Sequence, residues 1–344
     1  EIQASDWSSD VCSSDLYMCY KDEKNKLLQE KLEKAFEELK IPEFIQRYFI
    51  RLDSPVSKLN YWVTIRSMFD YMFEKNVICV NRISDINPED MLLIEAEDIK
   101  EYLKDLEINH GMSPGSVNTR KNMLSSFWNY LASTNRCPVR KNIIENVNYK
   151  ISKVVNTKTK MPSEEQLRFM EENIKKKVDP IIRERNLAVF KILKVTGIRE
   201  SELAGLDLDD VYLDGDETDH RAYIKVLGKG RYRESEMRKV LLTESAMEEI
   251  IKWLNVRQTI KNIQDTAALL LNKNGKRLNE DNIKKIFRNY GDGITPHMMR
   301  HWYATVMGRT FGIAFAQEQL GHSSMTITMN NYTDGTYGVS LKGM

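Results

Sequence analysis

The residues best suited to chemistry crowd into one stretch, Ile294 to Tyr332. It holds His297, His301 and His322, three of the five histidines in the chain, together with Arg300 and Tyr332. Thr295-Pro296 predicts a helix start, because Thr suits the N-cap and Pro the first helical position. His297 then falls in the first turn, and Arg300 follows three residues later on the same face. A helix N-terminus with outward N–H groups, an imidazole and a guanidinium predicts an anion site. Gly321-His322 lies in a Gly/Ser break that ends a helical run from Ala314 to Leu320. His301 is expected to point elsewhere on the helix in a structural role, and Tyr303 to pack within it.

A His-x-x-Arg pair alone occurs by chance in many helices. Here His297-x-x-Arg300-His301 is followed by Leu320-Gly321-His322-Ser323-Ser324 and then, ten residues after His322, by Tyr332. In that combination the block resembles the C-terminal part of the tyrosine recombinase (phage integrase) family. The resemblance extends upstream. Thr196-Gly197-Ile198-Arg199-Glu200-Ser201-Glu202-Leu203 is similar to the family's first-arginine block. It implies Arg199 as a phosphate-binding arginine and Glu202 as its supporting residue. Lys229, in the Gly228-Lys229-Gly230 turn of a predicted hairpin, occupies the family's catalytic-lysine position. Two departures are visible. The segment between Gly230 and the return strand, with Arg231, Arg233 and Arg238, is longer than usual. The His322–Tyr332 spacing is one residue longer than the commonest pattern. The resemblance covers about Ser54 to Tyr332 and is strongest from Thr196 onward.

The chemistry the resemblance implies is attack on a phosphodiester, an anion that resists nucleophiles. Arg199 and Arg300 would clamp its non-bridging oxygens and stabilise the charge of the transition state. The phenol of Tyr332 would be the nucleophile and leave a 3′-phosphotyrosyl link. A free Tyr has a pKa of ~10, so only about one in a thousand is ionised at neutral pH. His297 is the better base, His322 would hydrogen-bond the phosphate, and Lys229 would protonate the departing 5′-OH. Tyr303 and Tyr337 are competing phenols that lack the matching context. Because the covalent link conserves the bond energy, no cofactor, ATP or metal is implied.

The elements that must position these groups can be read outward from them. Met161-Pro162-Ser163 followed by Gln166 is a capping-box start. A helix through Leu187, Phe190 and Leu193 leads to Thr196-Gly197. Ala222, Ile224 and Val226 alternate with Tyr223 and Lys225 as a half-buried strand, and Lys239–Thr243 returns as its partner. Leu269–Asn272, Gly275 and Asn279–Tyr290 read as a short strand, a turn and a helix. Upstream the pattern is all helical. Lys21 to about Lys40 favours helix, Ser54-Pro55 and Ser113-Pro114 are starts, and Asn87-Pro88 reads as a start leading to Ile99, Tyr102, Leu103 and Leu106. Leu59, Trp62, Phe69, Met72 and Phe73 share one apolar face, and Leu124, Phe127, Trp128 and Leu131 another. Four or five helices are expected.

The fold class expected is mainly α with a small β-sheet (α+β). It comprises an N-terminal helical, SAM-like core-binding domain over residues 17–152, a basic linker over 153–160 and a mixed α/β catalytic domain over 161–344. Arg140, Lys141, Lys150, Lys153, Lys158 and Lys160, against a single Glu145, read by themselves equally as a solvated connector or as a strap over a phosphate backbone, and the resemblance downstream favours the strap. Arg231 and Arg233 are expected to add DNA contacts. Residues 6–16, Asp-Trp-Ser-Ser-Asp-Val-Cys-Ser-Ser-Asp-Leu, can be back-translated to a common sequencing-library adapter. Residues 1–16 are therefore expected to be disordered and foreign to the protein, and are set aside.

The whole composition is that of a globular chain: 344 residues, 41% hydrophobic, 29% charged. No run approaches the ~18 apolar residues of a membrane helix. Cys12, Cys19, Cys79 and Cys137 lack metal-ligand or paired spacing, which predicts reduced thiols in a cytoplasmic protein, and the resemblance implies one associated with the nucleoid. The net charge of +1 is low for a DNA binder, so local clusters must carry that role. The expected function is site-specific DNA recombination, an integrase of a mobile element or phage. Double-stranded DNA would be the partner, gripped by a homotetramer, with accessory DNA-bending proteins and no membrane. Two alternatives stand beside it: a type IB topoisomerase, and a non-catalytic DNA-binding protein, favoured only by the longer spacing before Tyr332.

Overall fold

The computed structural model describes residues 20–149, 161–217, 220–228 and 237–321. These fall into two compact units, one on each side of the basic segment.

The first unit is helical. Its α-helices are α1 (Tyr20–Glu38), α2 (Glu43–Ile50), α3 (Pro55–Glu74), α4 (Ala96–Ile108) and α5 (Pro114–Ser133). Ser54 and Ser113 accept from the N–H groups of Ser57 and Ser116, and Pro opens each helix behind them, so α3 and α5 begin where expected. Asn87-Pro88 opens only a 3-10 turn, Pro88–Leu92. A second start at Glu95, whose N–H is held by the Asp98 carboxylate, begins α4 and supplies Ile99 to Leu106. The short helix α2 was not anticipated, although Phe44, Ile45, Tyr48 and Phe49 bury one side of it. The core gathers Trp62, Ile65, Met68, Phe69, Tyr102, Leu124, Phe127, Trp128 and Leu131. Full burial of each such side chain contributes about 1.5–3 kcal/mol. Phe36 sits edge-on to both Phe49 and Trp62 at 5.0 Å.

The second unit is built around α7 (Pro180–Thr196), buried almost continuously from Asn186 to Thr196. It packs against α6 (Glu164–Lys175), α9 (Glu244–Arg257) and α11 (Pro296–Phe311). The remaining helices are α8 (Glu200–Ala204), α10 (Glu280–Tyr290) and α12 (Ile313–Leu320). The predicted capping box is formed: Ser163 Oγ accepts from Gln166 N, and Gln166 Oε1 from Ser163 N. Among the described residues one antiparallel sheet runs β1 (Val211–Tyr212), β2 (Tyr223–Leu227), β3 (Met237–Leu241).

Three sequence expectations are corrected here. The return strand begins at Met237 rather than Lys239. Tyr223, expected on the open face of its strand, is buried, stacked on Tyr212 at 4.6 Å and hydrogen-bonded to Asp216. The Leu269–Asn272 segment makes no strand, only a single bridge of Leu271 with Arg277. Its chain is fixed by side chains instead: Trp253 Nε1 and the buried Arg257 donate to the Leu269 and Ala268 carbonyls.

Candidate active site

Arg199 and Glu202 lie where α7 hands over to α8. Gly197 ends α7 in the left-handed region, φ 59°. A Cβ there would also fall 2.5 Å from the Tyr303 ring, so both backbone and packing require glycine. The chain then turns directly into α8 with Arg199 at its N-cap. Glu202 Oε2 accepts from the Arg199 N–H and Oε1 from Arg199 Nη1, each at 2.8 Å. One carboxylate thereby caps the helix and holds the arginine. Arg277 anchors the other end of α8, donating to the carbonyls of Ala204 and Leu206 and to Asp207.

Arg300 comes from α11, whose start is fixed by Thr295 accepting from Met298 N. Its side chain is buried. Nη1 donates to Gly197 O at 2.8 Å and Nη2 to Leu320 O at 2.7 Å, while Glu202 Oε2 lies 4.0 Å away. Arg300 thus links the end of α7 to the end of α12.

Arg238, noticed in the sequence only as a neighbouring cation, completes the centre. From β3 it donates Nη1 and Nη2 to the two Glu202 oxygens, at 3.2 and 2.9 Å, and Nε to Gln319 O at 3.0 Å. Strand alternation was the available signal, because Arg238 shares its face with the fully buried Val240. Arg238 and Arg300 together take the carbonyls of Gln319 and Leu320. These belong to the last turn of α12, where helical acceptors lack partners and the dipole favours cations. Gly321 follows in the left-handed region, against the Arg238 guanidinium.

The electrostatics follow from this crowding. Burial alone would raise the Glu202 carboxyl, but the hydrogen bonds and charge of Arg238, then of Arg199, outweigh it and hold the group below the usual carboxylate range. Burial, then the charge of Arg199, push the Arg300 guanidinium down to about 10, with Glu202 opposing. It remains a cation at neutral pH. Three guanidiniums against one carboxylate leave a cationic excess, and Arg199 is the most exposed of the three, its side chain 31% accessible. Such a centre suits a phosphate-like anion.

His297 lies in the first turn of α11, exposed, one turn ahead of Arg300. Its Nε2 is hydrogen-bonded to Nε2 of His301 at 2.9 Å. His301 therefore does not point elsewhere: four residues on, it returns to the same side of the helix. Tyr303 is buried, as expected. In the first unit, Arg140 and Lys141 are exposed, and Arg140 donates to the carbonyls of Cys137 and Val139. Lys150, Lys153, Lys158, Lys160, Lys229, Arg231, Arg233, His322 and Tyr332 lie outside the described residues, as does the stretch 1–16. Among the described residues, no helix is long and apolar enough to cross a membrane.

With this fold and arginine centre in place, comparison with known proteins defines the class. The phage integrase family model matches residues 161–338, more than half of the chain. The chain belongs to this family, the tyrosine recombinases, whose members transfer DNA strands. Tyrosine recombinase XerC of Neisseria gonorrhoeae is 40% identical over 151 residues, which cover 42% of this chain and 45% of that relative. The matched stretch is thus less than half of the relative's length. Among solved structures, the Tn1549 transposon integrase in complex with transposon right end DNA superposes with a TM-score of 0.59 at 19% identity, covering 90% of this chain and 95% of that one. The XerH site-specific recombinase bound to its palindromic difH substrate, a post-cleavage complex, gives 0.58 at 22%, covering 88% and 80%. These two likenesses establish the mainly helical fold with its small sheet.

Proposed function

We propose that the chain is a site-specific DNA recombinase that integrates or excises a mobile element or phage. The observation that carries this reading is the convergence of Arg199, Arg238 and Arg300 on Glu202, with its cationic excess. Arg199 and Arg300 bind the scissile phosphate, with Glu202 holding Arg199 in place. Tyr332 attacks the phosphorus and the 5′-OH departs, leaving a 3′-phosphotyrosyl link. His297 takes the phenolic proton, His322 hydrogen-bonds the phosphate and Lys229 protonates the leaving oxygen. Attack by the freed 5′-OH of a second strand reverses the step, so neither ATP nor metal enters the balance.

The helical unit, as a core-binding domain, and the basic residues from Arg140 to Lys160, with Arg231 and Arg233, hold the duplex by its phosphates. Four protomers on two duplexes, assisted by DNA-bending proteins, exchange strands in pairs. The test is a plasmid carrying two copies of the element-end junction, incubated with the chain in EDTA without ATP. Deletion or inversion between the sites supports the reading. Relaxation of a plasmid without sites would point to a topoisomerase.

A further inference from the structure

His297 and His301 stand one turn apart on α11. Their Nε2 atoms are 2.9 Å apart, with ring centroids at 4.4 Å and ring planes at 89°. His297 is exposed and His301 half-buried. Two imidazoles at i and i+4 are how a helix offers two nitrogens to one metal ion. With Zn–N bonds of about 2.0–2.1 Å, an ion equidistant from both would see them at about 90°, and opening the pair by roughly 0.4 Å gives the tetrahedral angle. Imidazole suits zinc, copper and nickel, whereas magnesium and calcium prefer oxygen. Among the described residues, no group of three or more His, Cys, Asp and Glu side chains could hold a metal ion. The described part of the chain thus supplies two ligands, fewer than the four of a closed structural zinc site.

We infer that His297 and His301 form a two-imidazole chelate for a divalent transition-metal ion, zinc being the probe of choice, and that binding there arrests strand cleavage by occupying His297. The hydrogen bond between the rings needs one of them protonated at Nε2. On coordination that hydrogen bond breaks: the donor ring takes its Nδ1–H tautomer and the exposed His297 ring turns, so that both Nε2 lone pairs can face one ion. The inhibitory half rests on the role proposed for His297; the binding half does not.

The test is titration calorimetry of the tag-free full chain with Zn²⁺ alone at neutral pH. One ion should bind per chain, at least about tenfold more weakly in each of His297→Asn and His301→Asn. In a nicked-duplex cleavage assay, Zn²⁺ should inhibit the wild type reversibly, EDTA restoring activity. The residual cleavage of His301→Asn should resist the same Zn²⁺ concentration. No binding, or equal binding in wild type and both variants, overturns the site. Binding without inhibition overturns its effect on cleavage. Zn²⁺ binding at the pair in a chain that never cleaves DNA, even without metal, upholds the chelate and speaks against the recombinase reading.

Discussion

Arg238 and Glu202, separated by 36 residues, face each other as a doubly hydrogen-bonded ion pair that is nearly dry, with side chains 11% and 3% accessible. The pair joins β3 to α8, and the third Arg238 hydrogen bond carries the connection on to α12. Glu202 thus sits between an arginine that fixes the scaffold and one, Arg199, that is open to a ligand.

Removing Arg238 should therefore destabilise more than removing an exposed cation. Breaking a buried pair typically costs 3–5 kcal/mol, and Glu202 keeps Arg199, so Arg238→Ala is expected to lose about 3 kcal/mol. Glu202→Gln should cost less in the Arg238→Ala background than in the wild type, since the carboxylate has already lost its doubly bonded partner there. Urea unfolding of the two single variants and the double variant measures the coupling. Additive effects would show that the pair is not the link.

Gly197→Ala meets two separate penalties. The left-handed backbone costs roughly 1–2 kcal/mol for a residue with a Cβ, and the Tyr303 ring occupies the space. A loss above about 2 kcal/mol is expected, since crowding alone typically adds 1–3 kcal/mol. Thermal unfolding should show that Gly197→Ala/Tyr303→Ala loses less than the sum of the two single losses, because the ring that crowds the new methyl is gone.

Arg300→Lys keeps a charge but cannot reach both Gly197 O and Leu320 O with a planar fork. Cleavage should fall by about 10²–10³-fold, the usual loss for one transition-state donor. Single-turnover rates check this. Because burial and the Arg199 charge push Arg300 down only to about 10, it stays a cation from pH 6 to 8, and the wild-type rate should show no Arg300 ionisation there.

Two carboxyls give opposite contributions to the pH dependence of stability. Glu202 is held below its ordinary value, so its contribution is present above the unfolded carboxylate range and is lost as the pH falls through the depressed value. Burial, then the charges of Asp207 and Asp209, raise Asp210 to about 6, against a hydrogen bond from the Asp207 N–H. Its ionisation therefore opposes folding as the pH rises from about 4 to 6 and remains unfavourable above that. Asp210→Asn should stabilise at pH 7 by about 1–2 kcal/mol, less than the full shift implies because the group is partly solvated. Below pH 4 the gain should vanish, which a series of denaturant titrations will show.

The sequence made the local chemistry legible. Ser54, Ser113, Ser163 and Thr295 act within three residues of themselves, and each caps the helix expected of it. The Arg199–Glu202 pair was legible for the same reason. Asn87-Pro88 misled because a second start, Glu95 with Asp98, follows within one turn of its end. What could not be read locally is the bonding across the chain. Arg300 finds an acceptor 103 residues away, and Arg238 finds one 81 residues on. Only the inward face of β3 hinted that Arg238 needed a partner. Tyr223 broke its strand's alternation because Tyr212 and Asp216 cover the face that the period left to solvent.

The most direct test of the proposed reaction is covalent trapping on a nicked duplex of the element-end site, with the wild type and Tyr332→Phe side by side. The cleaved fragment diffuses away and cannot be rejoined, so a 3′-phosphotyrosyl adduct accumulates. The expected result is an adduct in the wild type that disappears in Tyr332→Phe while DNA binding persists. An adduct that survives in Tyr332→Phe would assign the attack to another phenol. No adduct in either protein, with salt-sensitive binding intact, would make the chain a DNA binder without strand-transfer activity.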